Sequence, residues 1–330
     1  MITSNGSSVL QVEFFQDLDN LSNYSFFMKR LFASILFLPL ILIACNEQEP
    51  GQADIPENYE QHIDEWKAER VNSLKEPTGW MRLAGMYWLD EGKKSFGSGS
   101  DQDIRFPEGT IPGHAGYFHL QNGEVRIISA DGVELTHNGQ PIGEKVIYDG
   151  EEALEIEHNS LLWHIIERAD LIGIRLYNKE NEKVDRFTGF ESYPVDPEWR
   201  REAIFVPYPD GSTISIANIL GQQEDVNSPG YIKFTINGET YTLDAIESTE
   251  QMFIIVGDES NKTETYQAGR YMYIDYPEEG SNRTVIDFNK AYNPPCSYSQ
   301  FTTCQLPPPQ NRLDVEITAG ELRPVGWDGI

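Results

Sequence analysis

Three Asn-Gly pairs, at residues 122–123, 138–139 and 237–238 and each flanked by β-forming residues, constrain this chain more than any other feature it carries. A two-residue hairpin turn needs positive φ at both central positions, and Asn followed by Gly tolerates that best. Each pair therefore commits its flanks to antiparallel pairing. Asp-Gly at 131–132, 149–150 and 210–211 marks three further turns. Between them lie strand-length stretches at 117–120, 125–128, 161–166, 171–177, 231–236, 253–256, 270–276 and 285–288. Short strands separated by turns predict a mainly β chain, an antiparallel sandwich or barrel. One helix precedes them. Pro56 suits a first helical turn, Tyr59, Ile63, Trp66 and Leu74 recur at near-helical spacing, and Pro77 and Gly79 end the segment, which we place at 56–78.

The N-terminus speaks to compartment. From Met28 the order is Lys29-Arg30, an apolar run from Leu31 to Ile43, then Ala44 and Cys45. That is the plan of a signal peptide, and the run falls short of the about 20 apolar residues that span a bilayer. The ending Leu42-Ile43-Ala44-Cys45 resembles the lipobox of bacterial lipoproteins, which implies a lipidated, palmitate-bearing Cys45 as the mature N-terminus. Glu13, Asp17 and Asp19 do not suit a positive leader, so we expect translation to begin at Met28, with 1–27 an extension and 28–44 the signal peptide. Residues 45–55 read as a tether. Its acidic start is similar to the surface-export signal of some Gram-negative lipoproteins. The expected location is the bacterial cell envelope, lipid-anchored in the outer membrane on its periplasmic or surface face, with the membrane as a partner through that anchor.

Acidic residues number 53 against 25 Lys and Arg, a formal net charge of −28. Long-range repulsion of phosphates then excludes nucleic acid as a partner. The simplest reading of the excess is a well-solvated surface.

The stretch from Asp287 to Leu313 is unlike a linker. It carries Phe288, Tyr292, Cys296, Cys304 and prolines at 294, 295 and 307–309, which forbid helix or central strand. We expect a rigid, irregular loop laid over the β core. Cys296 and Cys304 in an exported protein read most economically as a disulfide, which would stabilise the fold by roughly 2 to 3 kcal/mol. A zinc site would need two more ligands and none lies near in sequence, and a free cysteine nucleophile would need a histidine brought in by the fold. His62, His114, His119, His137, His158 and His164 form no paired ligand motif, so we expect neither metal nor cofactor. Gly97-Ser98-Gly99 lacks the strand-to-helix context of a serine hydrolase elbow.

Two resemblances follow. Gly97-Ser98, Asp103-Ile104, Gly113-His114-Ala115 and His137-Asn138-Gly139 are similar in order to a forkhead-associated sandwich. Ser98 stands where that family carries an arginine, and Pro112-Gly113 replaces its serine-arginine pair, so the resemblance implies a scaffold without the guanidinium groups that grip phosphate. We therefore expect a forkhead-associated-like sandwich at 79–150 and a second β subdomain at 151–330. The motifs from Gly79 to Leu89, Tyr193 to Arg200, Ser228 to Gly230, Thr265 to Tyr271 and the Asn293-Pro294-Pro295-Cys296 loop resemble the bacterial family called domain of unknown function 1684, in a lipoprotein member. That family implies no activity, substrate or cofactor.

A polar set gathers around the loop: Arg270, Asp287, Asn289, Asn293, Asn311 and Arg312, with Tyr193, Asp196, Trp199 and Arg200 from the earlier motif. Such residues beside rigid prolines could fix a carbohydrate, a carboxylate or another polar small molecule, and could equally bond loop backbone. We expect a non-catalytic ligand-binding or interaction lipoprotein that uses this loop. The competing expectations are an envelope hydrolase that uses an Asp or free Cys there, and a purely structural protein, for which no cleft would adjoin residues 287–313.

Overall fold

The computed structural model describes residues 50–324 with the exception of residue 169. Met28, the apolar run and Cys45 lie outside the described residues. Each Asn-Gly pair closes a hairpin with positive φ at both positions: 51° and 82° at Asn122-Gly123, 50° and 70° at Asn138-Gly139, 53° and 85° at Asn237-Gly238. Those are type I′ turns, whose twist matches that of the strands they join.

Helix α1 (Tyr59–Lys75) turns Tyr59, Ile63 and Leu74 inward. The strands β1 (Leu83–Trp88), β2 (Gly92–Gly97), β3 (Ile104–Arg105), β4 (Gly116–Gln121), β5 (Glu124–Ser129), β6 (Leu135–His137), β7 (Gln140–Ile142), β8 (Glu144–Tyr148), β9 (Ile156–His158), β10 (Leu161–Arg168) and β11 (Leu171–Asn178) follow. They sort into two open sheets, β3-β2-β4-β5-β8 and β1-β11-β10-β9-β6-β7, antiparallel apart from the β2/β3 pair. One core fills the space between them. Phe96, Phe118 and Ile127 come from the first sheet, and Trp163, Ile165, Ile174 and Leu176 from the second. Trp163 stands edge-on to Phe96 and Phe106, at centroid distances of 6.2 and 5.4 Å.

This sandwich extends to Asn178, past the boundary expected at residue 150. The physical reason is burial on both faces of β10. Leu161, Trp163 and Ile165 face the sandwich core, while Leu162 joins Leu83 and Tyr177 on the outer face, packed against Trp80 and Phe301. A strand apolar on both faces must be covered on both.

After the short helix α2 (Lys183–Arg186) come β12 (Arg200–Pro207), β13 (Thr213–Ala217), β14 (Gln223–Asn227), β15 (Gly230–Ile236), β16 (Glu239–Asp244), β17 (Gln251–Val256), β18 (Arg270–Asp275) and β19 (Arg283–Asp287). They form an open sheet β16-β15-β12-β19 and two hairpins, β13-β14 and β17-β18. The described fold is thus mainly β and antiparallel, with one long N-terminal helix and no closed barrel among the described residues. A second core joins Phe234, Leu243, Ile254, Met272 and Ile286 to Phe288, Leu313 and Ile317 of the irregular C-terminal segment.

That segment is seated rather than splayed. Three short 3-10 turns, at Phe288–Lys290, Pro295–Ser297 and Pro309–Asn311, break it up. Cys296 and Cys304 are joined as a disulfide, with Cα atoms 5.9 Å apart. Arg70 of α1 reaches across, donating to Glu321 and to the Asn293 carbonyl, with its guanidinium 4.1 Å from the Tyr292 ring centre.

Candidate functional site

Most of the polar set is consumed in holding irregular backbone. Arg270 is wholly buried, donates to Asp258 at 2.7 Å and to the Ile317 carbonyl at 3.1 Å, and bonds the Ala319 carbonyl as well. Asn311 accepts from the Asp244 N–H at 2.7 Å and donates to the Asp244 and Ile255 carbonyls. Asn293 receives the Glu321 carboxylate on its N–H and donates to the Leu322 carbonyl. Tyr193 donates to Glu264 at 2.6 Å. Arg312, next to the buried Asn311, is exposed.

Four of the set, Asp287, Asn289, Asp196 and Arg200, do meet, around Tyr59 of α1. The Tyr59 hydroxyl donates to both oxygens of Asp287, at 2.8 and 2.9 Å, and Arg200 approaches the same carboxylate at 3.3 Å. Asn289 donates to Tyr59 and to the Asp196 carbonyl and accepts from the Asp196 N–H at 3.0 Å. Burial, then the Asp287 charge, pushes the Tyr59 phenol far above its ordinary range, so it stays a donor. Asp287 also accepts from the Asn289 N–H, at 3.1 Å. Its carboxylate is saturated, which leaves no lone pair aimed at a substrate. The sulfurs of Cys296 and Cys304 are bonded to each other, so neither is a thiolate nucleophile.

Two clefts border the loop, and Tyr273 of β18 lines both. The first, about 490 Å³, opens between the outer face of β10 and β11, the β13-β14 hairpin, and Thr302 to Gln305 of the disulfide loop. Backbone bonds tie that loop to the hairpin: the Ile219 N–H donates to the Cys304 carbonyl and the Leu306 N–H to the Ala217 carbonyl. The second cleft, about 510 Å³, is walled by Trp66, Tyr276 and Tyr292, and within it lie Arg200 and Asp287, the two members of the expected set that reach a cleft.

The first cleft contains residues that sequence reasoning missed. His164 pairs with Arg175 across β10 and β11, and Arg168 with Leu171, in one unbroken register. Alternation puts His164, Arg168 and Arg175 on the outer face, where the two arginines line the cleft. Burial and the two neighbouring guanidinium groups push the His164 imidazole down to about 4, so it is neutral near pH 7. Burial and Arg175 likewise lower Arg168, against a weaker pull from Glu224 on the facing wall. The available signal was the run Leu161 to Arg168, whose apolar residues fall on both faces and whose His164 and Arg168 share the outer face.

In the region expected to resemble a forkhead-associated sandwich the loops close on themselves. The Ser98 hydroxyl donates to the Ile111 carbonyl, the Ser98 and Gly99 N–H groups donate to Pro112 and Gly113, and His114 bonds Gln102 at 2.8 Å. Among the described residues no cluster of His, Cys, Asp and Glu is arranged to hold a metal.

Comparison with known proteins adds little chemistry. No functionally curated protein matches the chain. A solution NMR structure of an uncharacterized protein of Haloarcula marismortui is 28% identical over 43% of this chain and 80% of that one, with a TM-score of 0.36. The FhaA FHA domain, solved in complex with the intracellular domain of Rv3910, is 14% identical over 27% of this chain and 96% of that one, with a TM-score of 0.18. Residues 185–322, which contain the disulfide loop and the second core but not the Gly79 to Leu89 motif, match the family described as protein of unknown function DUF1684, a match that supports the family named by the loop's motifs.

Proposed function

We propose that this chain is a non-catalytic ligand-binding lipoprotein of the bacterial cell envelope, anchored through Cys45, that holds a small polar molecule in the cleft between β10-β11 and the Cys296–Cys304 loop. The observation that carries the reading is the loop itself. A segment stiffened by prolines and a disulfide forms one wall of a cleft of about 490 Å³, where a purely structural role would call for no cleft. Supporting binding over hydrolysis, the loop's sulfurs are bonded together and its Asp287 carboxylate is saturated by Tyr59, Arg200 and Asn289.

Two measurements test this. Ligand-observed NMR of the full chain against a metabolite and oligosaccharide library should give hits that vanish on Thr303→Trp, which fills the cleft from the loop side. Hits indifferent to that substitution would move the site elsewhere. Labelled palmitate should enter the protein in a bacterial host and fail to enter Cys45→Ala, and the intact mass of the mature chain should begin at Cys45.

A further inference from the structure

The cleft's charge is out of keeping with its chain. In a protein of net charge −28, arginines find carboxylates easily: Arg70, Arg126, Arg200, Arg270 and Arg283 all do. Arg168 and Arg175 stand on neighbouring strands of one sheet face, and among the described residues neither makes an ion pair. Arg168 donates to the Glu167 carbonyl at 2.7 Å, an acceptor one residue away, and the buried Nε of Arg175 has no hydrogen-bond partner. Two guanidinium groups that line one cleft repel one another across it, and a shielded N–H without an acceptor loses its hydration. An arrangement that weakens the free protein twice within one cleft leaves guanidinium donors available to an oxyanion.

We propose that this cleft takes a small anionic ligand, its carboxylate or phosphate seated on Arg175 and Arg168 and its hydroxyl-bearing body lying against Trp80, Tyr271 and Tyr273. The inference rests on the binding reading above and names the ligand class for that same cleft. Gln222, Thr303 and Gln305 supply amide and hydroxyl groups around it, and Glu224 on the hairpin wall, which pulls on Arg168, disfavours a second negative group. The ligand therefore carries a single anionic group. The chain's overall negative charge repels extended polyanions, which restricts the class to small molecules.

The test is thermal melting of the full chain at constant ionic strength with glucuronate, glucose 6-phosphate, inorganic phosphate or glucose, for wild type, Arg175→Met and Arg168→Gln. The expected result is a rise in Tm with glucuronate or glucose 6-phosphate, none with glucose, and loss of the rise in both variants. Without ligand, Arg175→Met should melt at or above wild type, because the substitution breaks no ion pair and removes a charge that repels Arg168, which outweighs the loss of its bond to Tyr177; a merely structural Arg175 would give the opposite. Inorganic phosphate matching glucose 6-phosphate would assign recognition to the free anion, and a larger effect of the sugar phosphate would assign part of it to the aromatic wall. Equal shifts by glucose and glucuronate that persist in Arg175→Met would overturn the anion site and leave the binding cleft standing. No shift with any of the four would overturn both. Should Arg175→Met fail to fold, Arg168→Gln at the exposed rim still decides the matter.

Discussion

In the sandwich of residues 83–178 the buried positions are apolar, whereas every buried polar or charged side chain among the described residues, from Ser228 to Glu321, belongs to the C-terminal region. The difference follows from backbone. Where strands run in ladders, the N–H and C=O groups satisfy each other and the interior can be left to Phe96, Phe118 and Trp163. Where the chain is irregular, those groups need other partners, and Arg270, Asn289, Asn293 and Asn311 provide them. A residue that looks like a ligand contact in the sequence is thus a backbone substitute in the fold. Arg168 and Arg175, which make no ion pair among the described residues, sit on the regular side, where the ladders already satisfy the backbone.

The sharpest way to break this contrast is Arg270→Met. The substitution keeps an apolar stem but strands the Asp258 carboxylate and two carbonyls in the interior, so the expected loss is about 3 to 5 kcal/mol. Urea unfolding reads it, and a loss under about 1 kcal/mol would mean that the polar interior is incidental. Next in size is the disulfide. Cys296→Ser with Cys304→Ser should lower stability by roughly 2 to 3 kcal/mol in oxidising buffer, with wild type falling toward the variant when reductant is added. An unchanged midpoint in both comparisons would show that packing of Tyr298 and the prolines alone fixes the loop.

How much of this was legible beforehand divides along the same line. The hairpins at Asn122, Asn138 and Asn237, the helix from Tyr59 and the Cys296–Cys304 bond all rest on local chemistry, and local chemistry is written in neighbouring residues. The sandwich boundary was not, because the second face of β10 is covered by Trp80 and Phe301, far apart in sequence. The site was misjudged for the same reason. Whether Arg270 faces a ligand or the Ile317 carbonyl depends on where the chain returns 47 positions later. Arg168 and Arg175 looked ordinary because the cleft they share, walled by β13 and β14, exists only once the chain is folded.

The regular side can also be tested by pH. His164 is held near 4 in the folded protein against 6.5 for the free group. Between those values the unfolded chain binds the proton and the folded one does not, so stability falls as pH drops from 6.5 toward 4. Allowing for partial exposure, the loss from pH 7 to pH 5 attributable to this side chain is about 1 to 2 kcal/mol. His164→Gln should flatten that part of the stability curve. If Arg168 and Arg175 are responsible along with burial, adding Arg175→Met to the wild type should recover part of the loss.

The smallest effect isolates backbone from packing. Gly139 has φ of 70°, and a Cβ built there meets nothing within 4 Å, so Gly139→Ala adds no clash and removes no contact. Its whole cost is the left-handed conformation of an L-residue, about 1 kcal/mol, and it should appear as a lower denaturation midpoint with unchanged slope. The result calibrates the contrast between the two regions. If the turn alone is worth that much, then three such turns set the register of the ladders, and the apolar interior of the sandwich follows from them without any buried polar group to enforce it.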